Sequence, residues 1–186
     1  MRYDERMRRA LPALLFSLCL ACGSTNEAPP NPGGEACAQY SFPLSDTSSS
    51  SHVSSCGSTA CGNGENPPNS GMHCPTWLSC RSYTTEQPRC SWIHNLEHGH
   101  AVFLYNCPEG CPDDVAKLEA AMGQAAAGSN GVRRALVAPD PQLPKRFAAL
   151  LWRRTYLMDS VDPEALSCLL ALQDVDANEP GLSCPP

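Results

Sequence analysis

Twelve cysteines in a chain of 186 residues limit what this sequence can become more than any other feature. Cys19 and Cys22 lie in and just after an N-terminal apolar stretch. The other ten are Cys37, Cys56, Cys61, Cys74, Cys80, Cys90, Cys107, Cys111, Cys168 and Cys184. Ten is even, as five disulfides require, and in an exported chain disulfides are the default use of such a set. Each bridge adds about 2–4 kcal/mol by restricting the unfolded chain, which suits a domain with only 6% aromatic residues. Zinc competes at Cys107-Pro-Glu-Gly-Cys111, where three intervening residues fall within zinc-ligand spacing. Thiolate ligands need reduced cysteines, so export favours disulfides. Cys107 and Cys111 are an attractive local pair, and the other pairings stay open. Among these ten no Cys-x-x-Cys occurs, so the domain carries no thioredoxin-type redox motif.

The N-terminus supplies the argument for export. Arg2, Arg6, Arg8 and Arg9 form a basic region ahead of Leu11 to Leu20, an apolar core of signal-peptide length. That core is too short for a permanent membrane helix. Ala21-Cys22-Gly23-Ser24 resembles a bacterial lipoprotein cleavage box, with Cys19 where the box usually carries Leu. Cleavage before Cys22 would leave that cysteine lipidated and anchor the protein to a membrane of the bacterial cell envelope. The expected organisation is a signal peptide at 1–21, a Pro/Gly-rich tether at 22–36 and one domain at 37–186. Losing residues 1–21 removes four arginines and two acids, leaving 9 basic and 17 acidic side chains. Such an acidic domain is not a nucleic-acid binder. A polytopic membrane protein is also excluded, because no apolar run reaches about 18 residues. A protein partner is left open.

The expected fold class is α+β: a small mixed sheet, two helices in the C-terminal half, and a disulfide-rich, loop-rich N-terminal half. Ala101 to Tyr105 is a continuous apolar run suited to a buried strand. Pro112-Asp113-Asp114 opens a helix that the glycines at 128–131 stop. Arg134 to Ala138 reads as a strand, Phe147 to Leu157 fits helix or strand with Trp152, Thr155 and Tyr156 favouring one strand, and Asp162-Pro163-Glu164 opens a last helix.

All five histidines (His52, His73, His94, His98 and His100) fall within 49 residues. Helical spacing would put His94 and His98 on one face; an extended chain would align His94, His98 and His100. Gly99 opposes a long helix. The order of Glu97 and His98 is not that of a His-Glu-x-x-His metalloprotease. Asn66 to His73 (NPPNSGMH) is a stiff turn ending on an imidazole, with Met72 offering a soft thioether beside it.

Both segments resemble one family. Pro67 to His73 is similar to the Pro-Pro-Thr-Ser-Gly-x-His motif of the domain-of-unknown-function family number 3105. His94-Asn-Leu-Glu-His-Gly-His-Ala-Val102 is similar to its His-x-Leu-Glu-His-Gly-x-Val motif. His52 matches an earlier family histidine, and Arg153 follows Trp152 where the family carries Gly. The resemblance implies His52, His73, His94 and His98 as metal ligands for copper or zinc. His100 falls on a variable position. Glu97 would orient a ligand or act as a base, and His100 or Met72 would be alternative ligands.

Three functions compete: an exported metal-binding protein, a metal-dependent enzyme using Glu97 as base, and a metal-free, disulfide-stapled interaction module. No Gly-x-Ser-x-Gly, phosphate-loop or dinucleotide signature occurs.

Overall fold

A computed structural model describes residues 34–56 and 61–185. The expected signal peptide, the expected lipidation site at Cys22 and nearly all of the expected tether lie outside the described residues. Its last two residues, Glu35 and Ala36, enter a short 3₁₀ turn, Glu35–Cys37.

The protein is α+β, and its described residues form four strands and three α-helices in the order α1 (Arg89–Glu97), β1 (Ala101–Tyr105), α2 (Pro112–Met122), β2 (Ala135–Pro139), β3 (Phe147–Leu151), β4 (Arg154–Met158), α3 (Pro163–Leu170). The sheet order is β2-β1-β3-β4. β1 and β2 are parallel, with α2 in the crossover between them, and the other two pairs are antiparallel. Side chains alternate across a strand. Ala101, Phe103, Val137, Phe147 and Ala149 therefore meet Leu118 of α2 and Leu166 and Leu169 of α3 on one face. Val102, Leu104, Leu136, Ala148 and Leu150 meet Trp92, Ile93 and Leu96 of α1 on the other.

One alternative left open by the sequence is decided, and two expectations change. α1 is a helix that no amphipathic stripe announces, because Trp92, Ile93, His94, Asn95, Leu96 and Glu97 are all buried. Burial on every side erases the apolar periodicity by which a surface helix is read. The α2 helix ends at Met122 rather than at the glycines beyond Ala127. Phe147–Leu157 is two strands, not one: Leu151 pairs with Arg154 across a two-residue turn at Trp152 and Arg153. Arg153 has a φ of 64° there. This is the left-handed conformation that glycine adopts without cost. The Arg153 guanidinium compensates by donating from Nε and Nη2 to Ser45 O at 2.8 and 2.6 Å.

All ten described cysteines are paired: Cys37–Cys168, Cys56–Cys74, Cys61–Cys90, Cys80–Cys184 and Cys107–Cys111. The Cys107-x-x-x-Cys111 segment is thus a bridge and not a zinc site. Five disulfides point to an oxidising, extracytoplasmic compartment. No described helix is long and apolar enough to cross a membrane.

Candidate metal centre

Two stiff pieces of chain carry the histidines. The first is the turn at 66–73. Asn69 is fully buried at its centre. Its Nδ2 lies within hydrogen-bond distance of Ser45 Oγ, Glu65 Oε2 and Thr155 Oγ1, at 2.7, 2.9 and 3.1 Å. Gly71 has a φ of 104°, and a Cβ there would come within 2.3 Å of the Gly62 backbone, so only glycine fits. The segment around His52 runs parallel to His73, with Val53 N donating to His73 O at 2.8 Å. The Cys56–Cys74 bridge holds the two segments together covalently.

The second piece is α1. His94 lies on its last turn and His98 caps its C-terminus. Gly99, at a φ of 76°, stops the helix. A Cβ there would strike Asp174 Oδ1 at 2.0 Å.

These pieces bring one donor atom each from His52, His73, His94 and Glu97 within 4.8 Å of one another. The His73 and His94 rings are 4.6 Å apart, and the His52 ring lies 5.1 and 5.0 Å from them. His52 is exposed and the other three are buried. The buried rings are oriented by the backbone: Nδ1 of His73 sits 2.8 Å from Gly71 O, and Nδ1 of His94 sits 2.6 Å from Cys74 O. With Nδ1–H donating to those carbonyls, each Nε2 keeps its lone pair, and that of His73 lies against Glu97. Metal-bound histidines are fixed in the same way, by a carbonyl on the far nitrogen.

Glu97 completes the set. Its Oε2 lies 2.9 Å from His73 Nε2. That approach is off the line of a hydrogen bond, and Nε2 remains one of the buried nitrogens without a hydrogen-bond partner. Asn178 Nδ2 donates to the other carboxylate oxygen at 3.3 Å. Burial raises the Glu97 pKa, but His73 and Asn178 outweigh it and leave the carboxyl below its ordinary value. Burial pulls the His73 pKa down, and Glu97 with the Gly71 carbonyl turn the net shift upward. His94 is pushed down to about 4, chiefly by burial. It is therefore a neutral imidazole at pH 7, the protonation state a metal ligand needs.

The other sequence-predicted residues fall nearby. The His98 ring is 4.5 Å from that of His94, but its nitrogens fall outside the four-donor group. It is buried, its pKa is lowered mainly by desolvation, and its Nδ1 lies 3.4 Å from Glu179 Oε2. His100 is turned away: Nε2–H donates to Leu182 O at 2.8 Å, and Nδ1 accepts from Asn95 Nδ2 at 3.0 Å. Met72 is partly exposed and pairs through its backbone with Gly62.

Sequence reasoning missed Trp77, whose ring lies 4.8 Å from His94 and 4.4 Å from His98. It also missed Asn178 and Glu179. Asn178 and Glu179 reach the cluster from a distant part of the chain, and Trp77, four residues after His73, carries no signal of its own.

A family profile described as protein of unknown function (DUF3105) matches residues 52–186, a span that starts at His52 and takes in both histidine segments and the sheet. The chain belongs to the DUF3105 family. No curated protein and no solved structure matches it. In this DUF3105 chain the His73 turn and the His94–His98 helix end converge on one point, although 20 residues separate His73 from His94.

Proposed function

We propose that this protein is an exported, lipid-anchored component of the bacterial cell envelope that binds a transition metal, copper or zinc. His52, His73, His94 and Glu97 are the ligands, with His98 beside them. One observation carries the reading. Two buried imidazoles have their Nδ1 atoms fixed on backbone carbonyls, and a donor atom of each lies within 4.8 Å of donor atoms of the other, of His52 and of the Glu97 carboxylate.

Nitrogen and carboxylate donors suit zinc and copper(II). Binding is favoured over catalysis because Glu97 is engaged with His73 and Asn178 rather than free to take a proton. The five bridges support an oxidising location, and the basic-then-apolar N-terminus ending at Cys22 supports the signal and the anchor.

Elemental mass spectrometry of the chain purified from an oxidising compartment tests this directly. Near-stoichiometric copper or zinc is expected. Its loss is expected in His94→Ala and Glu97→Gln variants that keep their circular dichroism. A folded protein that neither carries nor takes up either ion would leave the cluster a structural one. Mass spectrometry of the mature N-terminus tests the anchor separately: a chain starting at an unmodified Cys22, or later, would exclude it.

A further inference from the structure

A second group of ligand-type side chains lies outside the four-donor cluster. Cys80, His100 and Cys184 bring their donor atoms within 4.8 Å of one another. His100 is fully buried. Its Nε2–H is committed to Leu182 O, so Nδ1 carries the lone pair. That lone pair faces sulfur: Nδ1 is 3.7 Å from Cys80 Sγ and 3.6 Å from Cys184 Sγ. Asn95 Nδ2 donates to the same Nδ1 at 3.0 Å, while Asn95 also accepts from Leu78 N and donates to Leu78 O, at 2.9 and 2.8 Å. The tautomer is thus set from both sides: the Nδ1 lone pair accepts from Asn95 and lies beside two cysteine sulfurs, so an ion bound there would take that lone pair over from Asn95. A histidine anchored through its far nitrogen to a carbonyl and facing two sulfurs is the arrangement of a Cys₂His metal site.

We propose that the Cys80–Cys184 disulfide is the oxidised form of a second, reduction-dependent metal site made by Cys80, His100 and Cys184. It would take zinc or copper(I), ions that soft thiolates select. The reductant is a dithiol. One of its thiolates attacks Cys80 Sγ, the less buried sulfur (Cys184 is 2% exposed), and Cys184 leaves as thiolate. The second thiol of the reductant then closes its own disulfide and releases Cys80. Two electrons and two protons pass from the dithiol to the protein. Metal binding displaces the two thiol protons to solvent.

The ion would replace one cross-link with another. The bridge pins the C-terminal segment whose Asn178 and Glu179 touch Glu97 and His98, and a Cys80–metal–Cys184 link keeps it pinned.

The test uses the folded chain, reduced stepwise with a dithiol under argon and desalted. Alkylation mapping reports which pairs are open at each step. Cobalt(II) is the probe, because thiolate ligation gives it a charge-transfer absorption. Each molecule with Cys80 and Cys184 open is expected to bind one cobalt more than the oxidised protein does, with that absorption. A Cys80→Ser/Cys184→Ser variant treated identically should lack both the added ion and its band. A His94→Ala/Glu97→Gln variant should keep them, so failure of the first metal site and failure of this one are read separately. An open pair without the band overturns the proposal, as does a pair that resists reduction until circular dichroism shows the fold is lost.

Discussion

In the sheet, β1 places Val102 and Leu104 against α1 and Ala101 and Phe103 against α2 and α3, and every one of these side chains is apolar and fully buried. In the histidine cluster, which takes in the last turn of α1, the buried side chains are Asn69, Ser70, His73, His94, Asn95, Glu97 and His98. Of the buried side-chain atoms that lack a hydrogen-bond partner among the described residues, four belong there: His73 Nε2, Trp77 Nε1 and both ring nitrogens of His98. Each such atom costs about 1–3 kcal/mol relative to a satisfied one. The sheet stabilises itself by burial; the cluster is held by cross-links. Cys56–Cys74, Cys61–Cys90 and Cys80–Cys184 all tie segments around the histidines. Stability spent on maintaining unsatisfied nitrogens in one place is how a ligand site differs from a core.

The largest effect that would sharpen this contrast is in the sheet. Phe103→Ala is expected to cost about 3–5 kcal/mol in urea unfolding, because a fully buried aromatic leaves a cavity between β1 and the helices. The surviving folded fraction should still bind its metal with unchanged stoichiometry. Coupled loss of metal sites per folded molecule would break the separation between the two regions.

Next comes acid. Burial chiefly pushes the His100 pKa down to about 4, from an ordinary value near 6.5. A lowered histidine stabilises the fold fully above the unfolded value. That stability is lost as pH falls through 6.5 toward 4, and the loss ends there. At about 1.4 kcal/mol per unit it reaches about 3 kcal/mol. Chelator-treated wild type should therefore lose more stability between pH 7 and 4 than His100→Gln. Equal slopes would mean that the buried imidazole is not held neutral.

Gly99→Ala should destabilise by about 1–2 kcal/mol from its positive φ alone. The clash with Asp174 Oδ1 should add to this. Thermal unfolding measures the change. Metal affinity should fall with it, since Gly99 ends the helix that carries His94 and Glu97.

Asn178→Ala removes the partner of Glu97 Oε1. It is expected to weaken metal binding about 10-fold, the lower end for loss of an outer hydrogen bond, with little change in unfolding. Competition titration against a chromophoric chelator reads it.

Arg153→Gly should change stability by less than about 1 kcal/mol. Relief at the positive φ offsets the loss of two hydrogen bonds to Ser45 O.

The same contrast governs what the sequence disclosed. β1, β2 and the starts of α2 and α3 are legible because apolar runs, Pro at a helix start and acids in its first turn act locally. The Trp152–Arg153 turn is hidden because arginine stands in a glycine conformation. Helix α1 is hidden because it is buried on all sides. The histidine segments stand out as motifs, and His94 and His98 are adjacent in the structure as their spacing suggests. His52, His73 and His94 are among the ligands that the family resemblance implied, but their convergence on one point was not legible in their spacing. The donor set draws His52 and His73 from 42 and 21 residues before His94, under long-range pairing that bridges and backbone hydrogen bonds decide. It takes in Glu97, which the sequence marked only as a support, while the His98 nitrogens lie outside it. Disulfide pairing and the approach of Trp77, Asn178 and Glu179 are long-range in the same sense.

The most direct measurement is X-ray absorption at the metal edge of protein loaded with one equivalent of zinc or copper(II) under oxidising conditions. The account expects a first shell of nitrogen and oxygen only, at about 2.0–2.2 Å for zinc, with the outer scattering of at least two imidazoles. That outer scattering should shrink in His94→Ala. A first shell dominated by sulfur near 2.3 Å, or one without imidazole scattering, would contradict it and move the ion away from His52, His73, His94 and Glu97.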